Sequence, residues 1–207
     1  MRPLPRVHAI TDGLVLSASD FGVRAAAIAA AGSAVALHAR DRASSPTRLA
    51  AVAARMLTLA GPPEAAVFVN GRPDIAAALG AQGVQLSATD LTPEDARRLL
   101  PRGWIGCSVH TAAQARIALQ EGADFLLVGS IYETPSHPGR SAAGLDLVRT
   151  AASLGRPVIA IGGVTPERAP ELRAAGAYGV AAIRALWQAA DPASATLAML
   201  EPWAESS

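Results

Sequence analysis

A histidine ends the short apolar run WIGCSVH, which covers residues 104–110. Gly106, Ser108 and His110 are two positions apart, so on an extended strand they share one face. The glycine and serine leave space below the imidazole, and an imidazole with an ordinary pKa of about 6.5 can carry a proton at neutral pH. The residues alone leave two roles open for His110, namely proton transfer and a structural hydrogen bond.

Other polar residues also follow apolar runs. Those that can donate, accept or carry charge are Thr11, Asp12, His38, Arg40, Asp41, Arg42, Asn70, Gln85, Ser87, Glu133, Thr134, Ser136, His137 and Arg140. His38 is the alternative to His110 as a proton carrier, whereas His8 lies early in its run and is expected to be structural. Asp90 is interpreted as a helix-capping or solvated carboxylate, with magnesium binding as the alternative.

Eight apolar runs of strand length alternate with eight stretches of helical length. The apolar runs are 7–11, 34–40, 65–70, 83–87, 104–110, 124–132, 157–163 and 179–184, and the helical stretches are 20–31, 46–60, 73–79, 91–100, 111–121, 143–154, 166–175 and 185–190. Short strands that are apolar on both faces are typical of a parallel sheet covered by helices. This alternation predicts an α/β fold, a single-domain (β/α)8 TIM barrel, with a doubly wound open sheet as the alternative.

The barrel prediction gathers these polar residues at one end, because active sites of such barrels lie at the carboxyl ends of the strands. Gly162 and Gly163 follow the seventh run, and Ile183 and Arg184 end the eighth. Glycines allow a tight turn that exposes backbone N–H groups, and phosphate sites after strands 7 and 8 are frequent in barrels. We therefore expect a phosphate site here, with a plain tight turn as the alternative.

Composition excludes several classes of function. The net charge is +1, and 3 Trp and 2 Tyr are too few for a base-stacking surface, so no nucleic-acid partner is expected. Neither a long apolar run nor a secretory leader is recognisable, so we expect a cytoplasmic protein without a membrane partner. The single Cys107 and the lack of paired histidines or carboxylates argue against a metal site.

One domain is expected over residues 1–207, with the barrel core at about 7–187 and a C-terminal tail at about 191–207. The oligomeric state stays open, and a homo-oligomer is among the possibilities.

Eight segments, in order, resemble the thiamine phosphate synthase and thiazole tautomerase superfamily across about residues 7–187. They are HAITD, HARDR, VNGRPDIA, GVQL, IGCSVHT, ADFLLVGSIYET, PVIAIGGVTPER and AGAYGVAAIRAL. The resemblance implies a thiamine phosphate synthase-like barrel, in agreement with the element count. It also implies an enzyme of thiamine biosynthesis that binds a small phosphorylated thiazole.

The chain departs from the synthase motifs at several positions. His38 and Arg42 replace a Gln and a Lys, Gly71 replaces an aspartate that would carry magnesium, and Ser136 and His137 replace a Thr-Lys pair. The tautomerase pattern is closer, because it shares the motifs that begin here at Asn70, Val84, Ser108 and Glu133. A departing diphosphate normally needs a metal ion or a cationic clamp, so these departures favour the tautomerase branch.

The resemblance therefore implies an isomerase that aromatises a thiazole carboxylate phosphate, with His110 as the acid/base and no cofactor. The other implied contacts are substrate binding by His38, Arg40, Arg42, Asn70, Gln85, Ser108, Glu133 and Thr134, and phosphate binding by Gly162, Gly163, Ile183 and Arg184. Two alternatives stay open. One is a magnesium-dependent thiamine phosphate synthase with divergent motifs, which joins a thiazole phosphate to hydroxymethylpyrimidine diphosphate. The other is a non-catalytic regulatory barrel that binds a thiamine precursor.

Overall fold

All eight predicted strands are present in the computed structural model, which describes residues 3–61, 64–133 and 142–204. They are β1 (Val7–Ile10), β2 (Val35–Ala39), β3 (Ala66–Asn70), β4 (Gly83–Leu86), β5 (Trp104–Val109), β6 (Phe125–Val128), β7 (Val158–Ile161) and β8 (Gly179–Ala182). Each strand pairs in parallel with the next, and β8 pairs with β1, so the sheet closes on itself. The predicted single-domain (β/α)8 barrel is confirmed.

The helices cover the outside of the barrel. They are α1 (Gly13–Ser17), α2 (Phe21–Ala29), α3 (Pro46–Leu59), α4 (Pro73–Leu79), α5 (Pro93–Leu99), α6 (Ala112–Gln120), α7 (Gly144–Ala152), α8 (Ala169–Ala174), α9 (Arg184–Trp187) and α10 (Pro192–Leu200). Side-chain caps begin several of them: Ser45 accepts from Arg48 N, and Thr92 accepts from Asp95 N. Within the described ranges, no helix has both the length and the apolar character that a membrane span requires.

The helix predicted at 166–175 is divided in two. Residues Pro166–Arg168 form a 3-10 turn, and the α-helix begins only at Ala169. Pro170 lacks a backbone N–H, so it is tolerated in the first turn of an α-helix but not in its interior. The proline therefore sets where α8 begins.

The predicted C-terminal tail at about 191–207 is wrong for most of its length, because residues 192–200 form α10. Asp191 accepts hydrogen bonds from the backbone of Ala193 and Ser194, and Pro192 occupies the first turn. Thr196 and Met199 are fully buried. The Asp-Pro start signal was present in the sequence, and burial of one face makes the segment part of the fold.

Two phenylalanine rings fill the lower barrel interior. The rings of Phe68 and Phe125 meet edge to face with centroids 5.9 Å apart. Each ring occupies space beside a glycine: a Cβ added at Gly83 would lie 2.3 Å from Phe68, and one at Gly106 would lie 2.2 Å from Phe125. Burying one such ring contributes about 1.5–3 kcal/mol, so this packing also forms a solid base under the strand ends.

Replacing Met199 with alanine should lower the free energy of unfolding by about 2–5 kcal/mol, since the side chain is fully buried. Leu197→Ala is the matched control, because Leu197 lies on the same helix but is 60% exposed. Its effect should stay within about 0.5 kcal/mol. Urea denaturation followed by circular dichroism measures both, and two equally small effects would mean that α10 lies outside the cooperative fold.

Candidate active site

The carboxyl ends of the strands surround a pocket of about 1180 Å³. Its lining includes predicted site residues from seven of the eight barrel units: Arg40, Arg42, Asn70, Gln85, Ser108, His110, Glu133, Gly162, Gly163, Ile183 and Arg184. The structure thus brings the imidazole and the glycine turn into one cavity. Thr134 lies outside the described residues, as do Ser136, His137 and Arg140.

Thr11 fastens the ends of β1 and β2. Its hydroxyl oxygen lies 2.8 Å from the carbonyl oxygen of His38 and 2.9 Å from that of Arg40, and it accepts from Arg40 N at 3.0 Å. The Arg40 side chain is thereby held at the pocket wall. Burial, with a smaller contribution from nearby Arg42, lowers the pKa of Arg40 from its ordinary value. In the described chain neither arginine forms an ion pair, so both guanidinium groups can meet an anionic ligand.

His38 does not line the pocket, which corrects its predicted role in substrate contact. It is fully buried and pairs in register with Phe68, one layer below Asn70. Its Nε2 lies 2.8 Å from His8 Nδ1, and its Nδ1 lies 3.1 Å from Asn70 Oδ1. His8 Nε2 lies 3.1 Å from the carbonyl oxygen of Pro5. His38 therefore reaches the pocket only through Asn70.

Burial is the main cause of low basicity in this histidine pair. It lowers the pKa of His38 to about 4, although the contact of Nδ1 with the acceptor Asn70 Oδ1 acts in the opposite direction. It also lowers the pKa of His8, with a further contribution from His38. Both rings are therefore neutral at physiological pH.

Gln85 and Ser108 form the floor beside Asn70. Gln85 Nε2 donates to Ser108 Oγ at 3.0 Å. Gln85 Oε1 is buried and accepts no hydrogen bond from any residue in the described ranges. A buried acceptor without a partner costs about 1–3 kcal/mol, so a donor group on a ligand would be favoured at this floor.

His110 lies at the exposed upper wall of the pocket. Its Nδ1–H donates to the carbonyl oxygen of Gly129, and its backbone N–H donates to Gln114 Oε1 at 2.7 Å. Because a carbonyl can only accept, Nδ1 carries the proton, and in the neutral ring Nε2 is left as an acceptor. The imidazole is thus oriented for contact with a ligand.

The turn after β7 can be built only with glycines. Gly162 and Gly163 have φ of +100° and +65°. A Cβ at Gly162 would lie 2.6 Å from Ser130 Cα, and one at Gly163 would lie 2.8 Å from Glu133 O. Neither glycine N–H has a hydrogen-bond partner in the ranges described, so both can bind an anion.

Sequence reasoning missed Arg168, which also lines the pocket. Its Nη1 donates to Gly163 O at 2.5 Å, and its guanidinium lies over the Tyr132 ring at 4.3 Å from the centroid. These contacts fix the glycine turn and add positive charge beside it. An arginine five residues after a glycine pair was the available signal.

Asp90 faces Gly71 across the pocket rim. Asp90 Oδ2 accepts from Ser87 N at 2.7 Å and from Ser87 Oγ at 2.8 Å. A Cβ at Gly71 would lie 3.1 Å from Asp90 Oδ1, so a side chain at this position would reach the carboxylate. Within the described part of the chain, no group of three or more His, Cys, Asp or Glu residues could hold a metal ion. Magnesium bound with substrate phosphates often needs only one or two protein carboxylates, and Asp90 fits that requirement.

The chain is a parallel (β/α)8 barrel, and its pocket lies at the carboxyl ends of the strands, where the active sites of barrel enzymes lie. Residues 7–186 match the family described as thiamine monophosphate synthase. The chain belongs to this family.

Individual relatives agree with the family match. The chain is 47% identical over 169 residues to a thiamine-phosphate synthase of Thermus thermophilus, a match that covers 81% of each chain. It is 41% identical over 207 residues to the thiamine-phosphate synthase of Salinispora arenicola, covering 97% of this chain and 98% of that one. It is also similar to the structure of a thiamine phosphate pyrophosphorylase from Pyrococcus furiosus, with a TM-score of 0.80, 30% identity and coverage of 97% and 96%.

These findings overturn the tautomerase interpretation, because the family match and both curated relatives are named thiamine phosphate synthase. The proton-relay role given to His110 in an isomerase is withdrawn with it. The missing acidic residue at Gly71 was one of the departures that favoured the tautomerase branch over the synthase. The pocket shows why that inference was weak, since Arg40, Arg42 and Asp90 all remain on its wall.

Acidification should destabilise the protein through its buried histidines. The folded pKa of His38, about 4, lies below its ordinary value of 6.5, so between these pH values the unfolded chain binds the extra proton. Stability should therefore fall as the pH drops from 7.5 to 5, by on the order of 2 kcal/mol from His38. Urea denaturation at both pH values measures this difference. His38→Gln should show a smaller loss on acidification, and an unchanged loss would contradict the assignment.

Proposed function

We propose that the chain is a thiamine phosphate synthase, a transferase that joins a thiazole phosphate to a hydroxymethylpyrimidine diphosphate and releases diphosphate. The observation that carries the proposal is a single large pocket with two sets of anion-binding groups. The arginines of the β2 end form one set, and the glycine turn after β7 forms the other. Two phosphorylated substrates need two such sets, and the 47% and 41% identical relatives named as synthases support the assignment.

The guanidinium groups of Arg40 and Arg42 are assigned to the diphosphate. In the transfer, a carbon–oxygen bond to the diphosphate breaks as the bond to the thiazole forms, so negative charge grows on the leaving group. Fixed cations that face this charge lower the barrier. A planar guanidinium matches the geometry of phosphate oxygens.

Asp90 is assigned as the protein carboxylate that would hold Mg²⁺ together with the diphosphate. A bound Mg²⁺ neutralises charge on a departing diphosphate. Both hydrogen bonds from Ser87 go to Oδ2, whereas Oδ1 faces the space above Gly71 and accepts no hydrogen bond from a residue that the structure describes. Ser87 thereby orients the carboxylate before any ligand binds.

The backbone N–H groups of Gly162, Gly163 and Arg184 are assigned to the thiazole phosphate, with Ile183 at the same turn and the Arg184 and Arg168 side chains adding positive charge. The pocket floor, formed by Asn70, Gln85 and Ser108, is assigned to ring recognition. His110 and Glu133 line the mouth and are assigned to substrate contact. Holding both substrates in one cavity converts the transfer into an effectively unimolecular step.

The purified protein should form thiamine phosphate from the two substrates and Mg²⁺, with one diphosphate released for each product. Liquid chromatography of the product and a coupled diphosphate assay measure the two yields. Asp90→Asn should lower kcat/KM by about 100-fold, because charge on the leaving group loses a stabilising partner. Glu94→Gln, which removes an exposed carboxylate on α5, is the matched control. Absence of both products would refute the proposal.

Gly162→Ala should weaken binding of the thiazole phosphate by at least about tenfold, because its Cβ would collide with Ser130 and displace the turn. Gly155→Ala is the control, since Gly155 also has a positive φ of +80° but has no atom within 4 Å of an added Cβ. Both variants carry similar backbone strain, so only a local effect separates them. Isothermal titration calorimetry gives the two affinities, and equal losses would refute the assigned phosphate turn.

A further inference from the structure

Two buried histidines link the pocket floor to the opposite end of the barrel. The chain of contacts runs from the Pro5 carbonyl oxygen to His8 Nε2, from His8 Nδ1 to His38 Nε2, and from His38 Nδ1 to Asn70 Oδ1. Both rings are fully buried among the Phe68 and Phe125 side chains. Each contact in this chain has one donor and one acceptor, so its protons can be counted.

The carbonyl of Pro5 sets the direction of every bond in this chain. A carbonyl can only accept, so His8 Nε2 carries a hydrogen. A neutral His8 then has a bare Nδ1, which must accept from His38 Nε2–H. A neutral His38 is left with a bare Nδ1, which requires a donor from Asn70.

The Asn70 atom 3.1 Å from His38 Nδ1 is Oδ1, and a half-turn of the amide would put the NH2 group there instead. The oxygen and the NH2 group are nearly equal in shape, so hydrogen-bond partners decide which of them faces His38. The bare Nδ1 of His38 requires the NH2 group. We propose that His8 and His38 are positioning residues that hold the Asn70 amide with its NH2 group on His38 and its carbonyl oxygen facing the pocket. The half-buried Asn70 lines the pocket, whereas neither histidine does.

This orientation makes the pocket floor an acceptor surface. Asn70 and Gln85 are paired in register on adjacent strands, and Gln85 Oε1 is a second acceptor without a partner in the described ranges. Two neighbouring acceptors select a ring that carries hydrogen-bond donors, such as an amino-substituted pyrimidine, over one that carries acceptors. This selectivity rests on the proposed synthase function, whereas the orientation of the amide does not.

The opposite orientation of the Asn70 amide would change the protonation of His38. If Asn70 presents its oxygen to His38, then His38 Nδ1 carries a hydrogen. Either one of the two rings is then a buried cation, or both rings are neutral and two acceptors, His8 Nε2 and Pro5 O, face each other at 3.1 Å. Both arrangements differ from the proposed one in the protonation of His38 Nδ1.

Nuclear magnetic resonance of the ligand-free, 15N-labelled protein reads that difference directly. Long-range 1H–15N correlations at pH 7.5 should show His8 and His38 as neutral rings protonated at Nε2. The signals are assigned with His8→Gln and His38→Gln. A hydrogen on Nδ1 of His38 would overturn the proposal, and this result does not depend on any enzymatic activity.

Kinetics test the consequence in the full-length protein. In His8→Leu, His38 Nε2 loses its acceptor, so the ring is free to protonate at Nδ1 and Asn70 to turn its NH2 group to the pocket. KM for the pyrimidine diphosphate should rise about tenfold, with kcat within about threefold of the wild type. His8→Gln should restore KM, because glutamine can donate to Pro5 and accept from His38 at once.

The experiments distinguish failure of the proposed synthase function from failure of the proposed Asn70 orientation. A wild-type protein without synthase activity refutes the proposed function, and the resonance measurement then decides the orientation alone. If His8→Leu and His8→Gln have the same KM, the positioning role is refuted. If His8→Leu does not fold, as circular dichroism would show, the His38 signal of the wild type still decides the proposal.

Discussion

The packing of two phenylalanine rings against two glycines determines where the pocket of this barrel begins. Phe68 and Phe125 occupy the volume that side chains at Gly83 and Gly106 would otherwise fill. A barrel interior of eight strands is normally closed by its own side chains, so a cavity exists only above the last filled layer. In this chain that layer consists of aromatic rings, and the polar side chains of Asn70, Gln85 and Ser108 stand directly over it.

The strands were predictable because every one is a short apolar run between helical stretches, and only a parallel sheet covered on both faces buries such runs fully. The ends of the chain were less predictable. Residues 192–200 have a helix start signal, but whether the segment docks depends on its contacts with α2 and α9, which no local sequence pattern reports. Pro170 divided a continuous helical pattern, because a missing N–H counts for more than the surrounding periodicity.

The sequence predicted which residues line the pocket better than it predicted at which level of the barrel each of them lies. Alternation along a strand tells which side chains face inward, and it correctly gathered Arg40, Asn70 and Ser108 around one pocket. It does not tell how the strands are staggered, so His38 was assigned to the pocket although register places it beside Phe68. The tautomerase prediction was wrong because it counted the missing aspartate at Gly71 and the missing lysine at His137 but not the arginines that remain on the pocket wall. Arg168 went unnoticed since its importance comes from contacts with Gly163 and Tyr132 that only the fold creates.

In barrels of this kind the two ends of the strands are usually assigned different tasks, one to stability and the other to chemistry. The hydrogen-bonded path from Pro5 through His8 and His38 crosses that division. The few residues before β1 are therefore connected by hydrogen bonds to Asn70, a side chain that lines the pocket. An affinity tag or truncation that shifts the main chain near Pro5 would therefore disturb the pocket at the other end of the barrel.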